Sequence, residues 1–197
     1  MKRLRQVLYF LSSHWWQVLL VTALNFASFT LLFSLEARFE TLTGQPVYDT
    51  QNALTPALLR DQLGLYQGEA RQAYFLFAAY DFIFPFVAAL FVAVLLTWLL
   101  RINPTRLAKR LLNWNLPLYA FIGTLFDWME NISLLTVLGY GSTAPVFWVN
   151  AAILFKRLKL IGLSVSFTTL FVIAIFTIIT WLRHTWKNRS QLLTEAP

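Results

Sequence analysis

The sequence predicts an all-α integral membrane protein: a four-transmembrane-helix bundle with both termini in the cytoplasm and a long outer loop that contains a short surface helix. Three observations carry that prediction. Hydrophobic residues make up 58% of the 197-residue chain and charged residues only 13%, whereas a soluble domain carries about a quarter charged residues. Four apolar stretches, about 15–35, 74–100, 116–138 and 160–182, each reach the roughly 20 residues that a helix needs to cross a bilayer. The basic residues, finally, gather at the ends of these stretches. Lys2, Arg3 and Arg5 precede the first, Arg101, Arg106, Lys109 and Arg110 lie between the second and third, and Arg183, Lys187 and Arg189 follow the fourth, against one acid, Glu195. The positive-inside rule then puts both ends and the 101–115 loop in the cytoplasm, as in a bacterial inner-membrane protein. The net charge of +7 is therefore a topology signal, and a nucleic-acid partner is not expected.

The chain divides into a basic N-terminus at 1–14, a membrane domain at 15–182 and a cytoplasmic tail at 183–197. The apolar run of the first span is about twice the length of a secretory core and reads as an uncleaved anchor. Residues 36–73 form the outer loop. In it, "LTPALLRDQLGLY" starts a helix, with Thr55 as N-cap and Pro56 in the first turn. Leu58, Leu59 and Leu63 would lay one face on the membrane or over the mouth of the bundle. Aromatic residues mark the two interfaces: Trp15, Trp16, Trp98, Trp114, Trp181 and Trp186 on the inner side, Tyr74, Tyr140 and Trp148 on the outer. After the short link "GYGSTAP" the chain is apolar from Val146 to Leu182 apart from Lys156, Arg157 and Lys159. As one helix that stretch would measure about 55 Å, so it either bends near Gly162 or projects beyond the membrane.

The candidate site comes from polar residues inside the spans. In "LFDWMENISLL", Asp127, Glu130 and Asn131 stand at i, i+3 and i+4 and share a helix face. Asp81 lies at a similar depth in the second span. Pro85 cannot donate to the carbonyl four residues back, so the helix should kink and leave the Asp81 carbonyl free beside its carboxylate. Lys156, Arg157 and Lys159 either pair inward as counter-charges, three bases for three acids, because an unpaired intramembrane charge costs at least about 2.5–3.5 kcal/mol, or sit at the outer headgroups. Asp81, Asp127 and Glu130 are the candidate catalytic acids and bases; Asn131, Lys156, Arg157, Lys159, Tyr80 and Trp128 are the candidate ligand-binding residues.

Other chemistries find little support. The absence of cysteine removes disulfides and thiolate sites. His14 and His184 sit at the cytoplasmic ends, so no zinc site is expected, nor any cofactor, since no Walker loop, dinucleotide fingerprint or nucleophile elbow occurs. The reading that follows is a polar site in the outer half of the bilayer that takes a lipid-like or isoprenoid-like ligand, with acid–base modification as a further step. The alternatives are proton or small-ion transport by a homo-oligomer, and an assembly subunit whose polar layer meets a membrane-protein partner.

Overall fold

In a computed structural model that describes residues 2–51 and 53–194, with side chains to residue 186, every element among the described residues is helical. Glu195 and the side chains of Lys187 and Arg189, counted above among the tail charges, lie outside the described residues. Four helical segments are long and apolar enough to cross a membrane: Trp15–Thr43, Gly68–Ile102, Leu116–Thr143 and Val146–Trp186. They run alternately up and down. One end of the bundle therefore carries the N-terminus and the last turns of the fourth segment, and the other end carries the 44–67 connection.

Helix α1 (Lys2–Leu11) lies across the terminal end with Leu8 buried. It is fixed by Arg101, whose guanidinium donates to the Tyr9 carbonyl at 2.8 Å and to the Ser12 hydroxyl at 3.0 Å. The first long helix, α2 (Trp15–Thr43), buries one narrow stripe, Val18, Val21, Ser28, Leu32 and Phe39, while Leu19, Leu20, Leu24, Phe26, Phe29 and Phe33 point outward. Apolar side chains facing away from the bundle are what a lipid environment accepts and water does not. Gly44 ends the helix in the left-handed region, φ 71°, with its amide on the Glu40 carbonyl at 2.7 Å.

The connection at the far end folds back as a cap. Helix α3 (Pro56–Asp61) starts as the sequence predicts, with the Thr55 hydroxyl accepting from the Leu58 amide. Its apolar face turns onto the bundle: Leu59 is fully buried, and Leu58 and Leu63 pack against the same core. Tyr48 and Tyr66 stack at 4.3 Å, with the Tyr66 hydroxyl accepting from the Tyr48 amide and the Tyr48 hydroxyl donating to the Leu59 carbonyl. Tyr74, expected in an interfacial belt, is fully buried beneath this stack. Its hydroxyl has a partner in the cap, Asp49, which makes an inward position cheaper than an interfacial one.

The second segment is broken where Pro85 requires it. Helix α4 (Gly68–Asp81) stops, and α5 (Phe84–Ile102) begins with the proline in its first turn. At the terminal end, Asn103 caps α5 and its amide reaches Thr177 and Thr180, both at 3.1 Å. A short helix α6 (Arg106–Asn113), capped by Thr105, follows. Helices α7 (Phe121–Tyr140) and α8 (Val146–Thr194) form the main pair. The 49 residues of α8 continue through Gly162 without a break, a length of about 73 Å. Gly162 serves contact instead of bending: a Cβ there would stand 3.2 Å from the Cα of Gly123. This is the close approach that small residues permit between membrane helices.

Gly162→Leu should accordingly cost about 1–3 kcal/mol of stability by overpacking against backbone. Tryptophan-fluorescence melting in detergent checks this, with Gly64→Ala, where an added Cβ meets nothing within 4 Å, as the control. An unchanged midpoint for Gly162→Leu would mean that the crossing is looser than described.

Candidate functional site

The residues of "DWMEN" divide between two neighbouring faces of α7. On one face, Thr124, Trp128 and Asn131 are spaced i, i+4, i+7 and meet the broken backbone of the α4–α5 segment. The Thr124 hydroxyl donates to the Pro85 carbonyl at 2.9 Å, the Trp128 indole to the Phe82 carbonyl at 2.8 Å, and the Asn131 amide to the Asp81 carbonyl at 3.3 Å. The same amide donates to Asp81 Oδ2 at 3.0 Å. The Asp81 and Phe82 carbonyls, released by the break, would otherwise be orphaned in an apolar interior, at a cost of several kcal/mol each in lipid. The expected free acceptor beside the Asp81 carboxylate is present, and a side chain has claimed it.

The other face carries charge. Lys159, one turn along α8 from Lys156, places its ammonium 2.6 Å from Asp127 Oδ1 and 2.6 Å from Glu130 Oε2. The Glu130 contact is an ion pair whose direction falls outside hydrogen-bond geometry. Lys156 reaches Glu130 Oε1 at 3.4 Å and donates to the Tyr48 and Asp49 carbonyls at 2.9 and 2.7 Å. Its three donors are thereby used, and the cap is fastened to the bundle by a buried ammonium.

Arg157 does not take part. It lies exposed, one residue off the inward face, because a helix turns about 100° per residue and cannot aim three positions in four the same way. Tyr80 is also elsewhere: its hydroxyl bonds Ser28 of α2 at 2.6 Å. Trp128 binds backbone, as described, and Glu130 is fully enclosed by the two lysines and the cap. A fourth acid joins instead. Asp49 is buried, accepts from the Tyr74 hydroxyl at 3.2 Å, and faces Asp81, Glu130, Lys156 and Lys159. Nothing in its local sequence, "PVYDT", distinguishes it from a solvated loop aspartate; only the folding back of the cap brings it in. The layer therefore holds four carboxylates to two ammonium groups, not the balanced three to three. Burial, then the nearby carboxylates, push Asp49 up to about 7. Burial likewise raises the Tyr48 and Tyr66 phenols above their usual range, so both stay protonated.

A cavity of about 200 Å³ opens beside the layer. Asp49, Thr50, Asp81, Asp127 and Lys159 line it together with Phe84, Ala88, Ala89 and Val92 of α5 and Leu163 and Phe167 of α8. The α4–α5 wall from Asp81 to Val92 spans about 16 Å of helix rise, polar at the cap and apolar below. Asp49 Oδ1 and Asp127 Oδ2, on two of these lining residues, have no hydrogen-bond partner. No family model, no curated protein and no solved structure matches the chain.

Two outcomes follow. Lys156→Met, which strands Glu130 and two cap carbonyls, should destabilise the protein by about 3–5 kcal/mol and speed hydrogen exchange across residues 46–66 first; uniform exchange along the chain would show that Lys156 is no latch. Asp49 binds its proton more tightly folded than unfolded, so its contribution to stability is full below the ordinary carboxylate range and lost as pH rises through about 7. The melting midpoint should fall across that window in wild type, and the fall should be shallower in Asp49→Asn.

Proposed function

We propose that the chain is a multi-pass protein of the bacterial inner membrane, with both termini in the cytoplasm, whose cavity binds a lipid-like ligand by its polar head near the cap. The basic residues at the terminal end support this orientation through the positive-inside rule. The cavity carries the ligand reading. An apolar channel that ends on a few convergent polar groups is the usual form of a small-molecule site, and here the polar lining residues are Asp49, Thr50, Asp81, Asp127 and Lys159.

An acid–base step is the further part of the proposal. Asp127, beside the Lys159 ammonium, would act as base, and Asp81, held by an amide, as proton donor. Both line the cavity. Glu130 serves as a positioning residue that holds both lysines. A proton or ion path is less well supported, because the cavity continues below the acids into Ala88, Ala89, Val92 and Phe167, which offer nothing to relay a charge. A hard cation between Asp127 and Glu130 would also have to displace Lys159.

Native mass spectrometry with lipidomics on gently purified protein tests the reading. Wild type should retain a discrete lipid-like mass; Ala89→Trp, which fills the apolar arm, and Asp81→Asn should lose it. Identical spectra for all three would remove the cavity as a binding site.

A further inference from the structure

We propose that the terminal end of the bundle is a docking surface for acidic phospholipid, with one phosphate headgroup seated in a hollow beside α1. The inference concerns the opposite end of the molecule from the cap and does not depend on the cavity holding a ligand.

Charge is distributed unevenly between the two ends. Outside the buried layer, the cap end is balanced: Arg38, Arg60, Arg71 and Arg157 are matched in number by Glu36, Glu40, Asp61 and Glu69. The terminal end carries Lys2, Arg3 and Arg5 on α1, Arg101 at the end of α5, and Arg106, Lys109 and Arg110 on α6, with no acid among the described residues there. Two of these bases are engaged. Arg101 donates to α1, as described above, and Arg5 to the Tyr9 hydroxyl at 3.4 Å. Both guanidiniums also stand over the one Tyr9 ring, 5.3 and 5.5 Å from its centre. The other five are exposed and have no hydrogen-bond or ion-pair partner among the described residues. Like charges gathered in this way repel one another, and the anion that offsets them has to come from outside the chain.

The helices that carry the charges suit a bilayer surface better than a protein or nucleic-acid partner. Their inner faces enter one core, Leu8 of α1 and Ala108 and Leu112 of α6 meeting Leu96 and Leu100 of α5. Their outer faces mix bases with exposed apolar side chains. Val7 and Phe10 follow Arg3 at i+4 and i+7 on α1, and Leu107 and Trp114 flank Arg110 along α6 and its cap. Such a helix, lying at the headgroup layer, sinks its apolar side chains towards the acyl chains and leaves its cations among the phosphates. Four bases directly beyond a membrane span, as after α5, are the pattern that acidic lipid attracts.

The hollow supplies a second observation. About 320 Å³ of open space beside α1 is lined by Lys2, Arg5, Gln6 and Tyr9. Each of these side chains carries a hydrogen-bond donor and none is a carboxylate. Tyr9 accepts from Arg5 and keeps its own hydroxyl hydrogen to give. A phosphodiester offers acceptors only and complements such a set.

The test uses the full chain in an uncharged detergent at low salt. Native mass spectrometry follows its titration with short-chain phosphatidylglycerol and with phosphatidylcholine of the same chains. Phosphatidylglycerol should bind at least about tenfold more tightly, since each base near an acidic surface is worth roughly fivefold, and the difference should shrink at high salt. Lys2→Gln should weaken phosphatidylglycerol by roughly fivefold and Lys109→Gln with Arg110→Gln by at least about tenfold, both leaving phosphatidylcholine unchanged. Arg38→Gln with Arg71→Gln, at the cap end, and Ala89→Trp, in the cavity, should leave the preference as it is. Equal affinities in wild type would overturn the inference, pass the basic surface to an acidic protein partner and leave the cavity reading untouched; this comparison needs no variant to fold. A preference that survives the terminal-end variants, or that disappears with the cap-end or cavity variants, would overturn it as well. A loss with Lys109→Gln and Arg110→Gln but none with Lys2→Gln would overturn the seat beside α1.

Discussion

The pairing of Lys156 and Lys159 on α8 with Asp127 and Glu130 on α7 is the constraint on which the rest depends. Four charges set in an apolar bundle cannot be hydrated singly, and breaking a buried pair costs far more than an exposed one. The pairs hold two antiparallel helices to a single register. A slide of one turn, about 5.4 Å, would take Lys159 away from both of its carboxylates. It would also carry Gly162 off Gly123, one turn from Lys159 and Asp127, where the backbones come close enough that a Cβ would be crowded. Charge and sterics thus fix the same register from two places along one interface.

Once that register is set, the other face of α7 has its position. Thr124, Trp128 and Asn131 arrive opposite the Pro85, Phe82 and Asp81 carbonyls around the break. The break is stabilised where it stands, and it turns the Asp81 carboxylate toward the charged layer. The cap closes last in this logic. Its hold is the Lys156 ammonium on two cap carbonyls, reinforced by the Tyr48–Tyr66–Tyr74 stack. A loop is seldom secured by a buried lysine unless that lysine already has an anion, and Glu130 provides it.

Much of this was legible in the sequence because the signals are local. Span number follows from apolar run length, α3 from Thr55 and Pro56, an interruption of the helix from Pro85, and the shared face of Lys156 and Lys159 from spacing i, i+3, though not that this face turns inward. Depth counting also brought Asp81 and "DWMEN" together. The parts that were not legible depend on chain folding at long range. Asp49 becomes a member of the site only because residues 44–67 return over the bundle, and Tyr74 is buried only because Asp49 waits for its hydroxyl. Arg157 reads as a third counter-charge by composition, yet helix geometry turns it outward. Trp128 and Tyr80 look like cavity aromatics from their neighbours in sequence, but each spends its polar atom on a distant partner, a carbonyl and a serine.

The empty space beside the layer is the feature least explained by stability. Ala88, Ala89 and Gly123 line the cavity, and larger apolar side chains at the two alanines would fill part of it and gain packing. Leaving a void costs stability. Structural glue does not need one: side chains that only join helices do their work best with their surroundings filled. Oxygens of Glu130 and Asn131, away from the cavity, lack a hydrogen-bond partner just as those of Asp49 and Asp127 do, so it is the room that small side chains keep beside the layer, and not the unmet acceptors, on which the ligand reading rests.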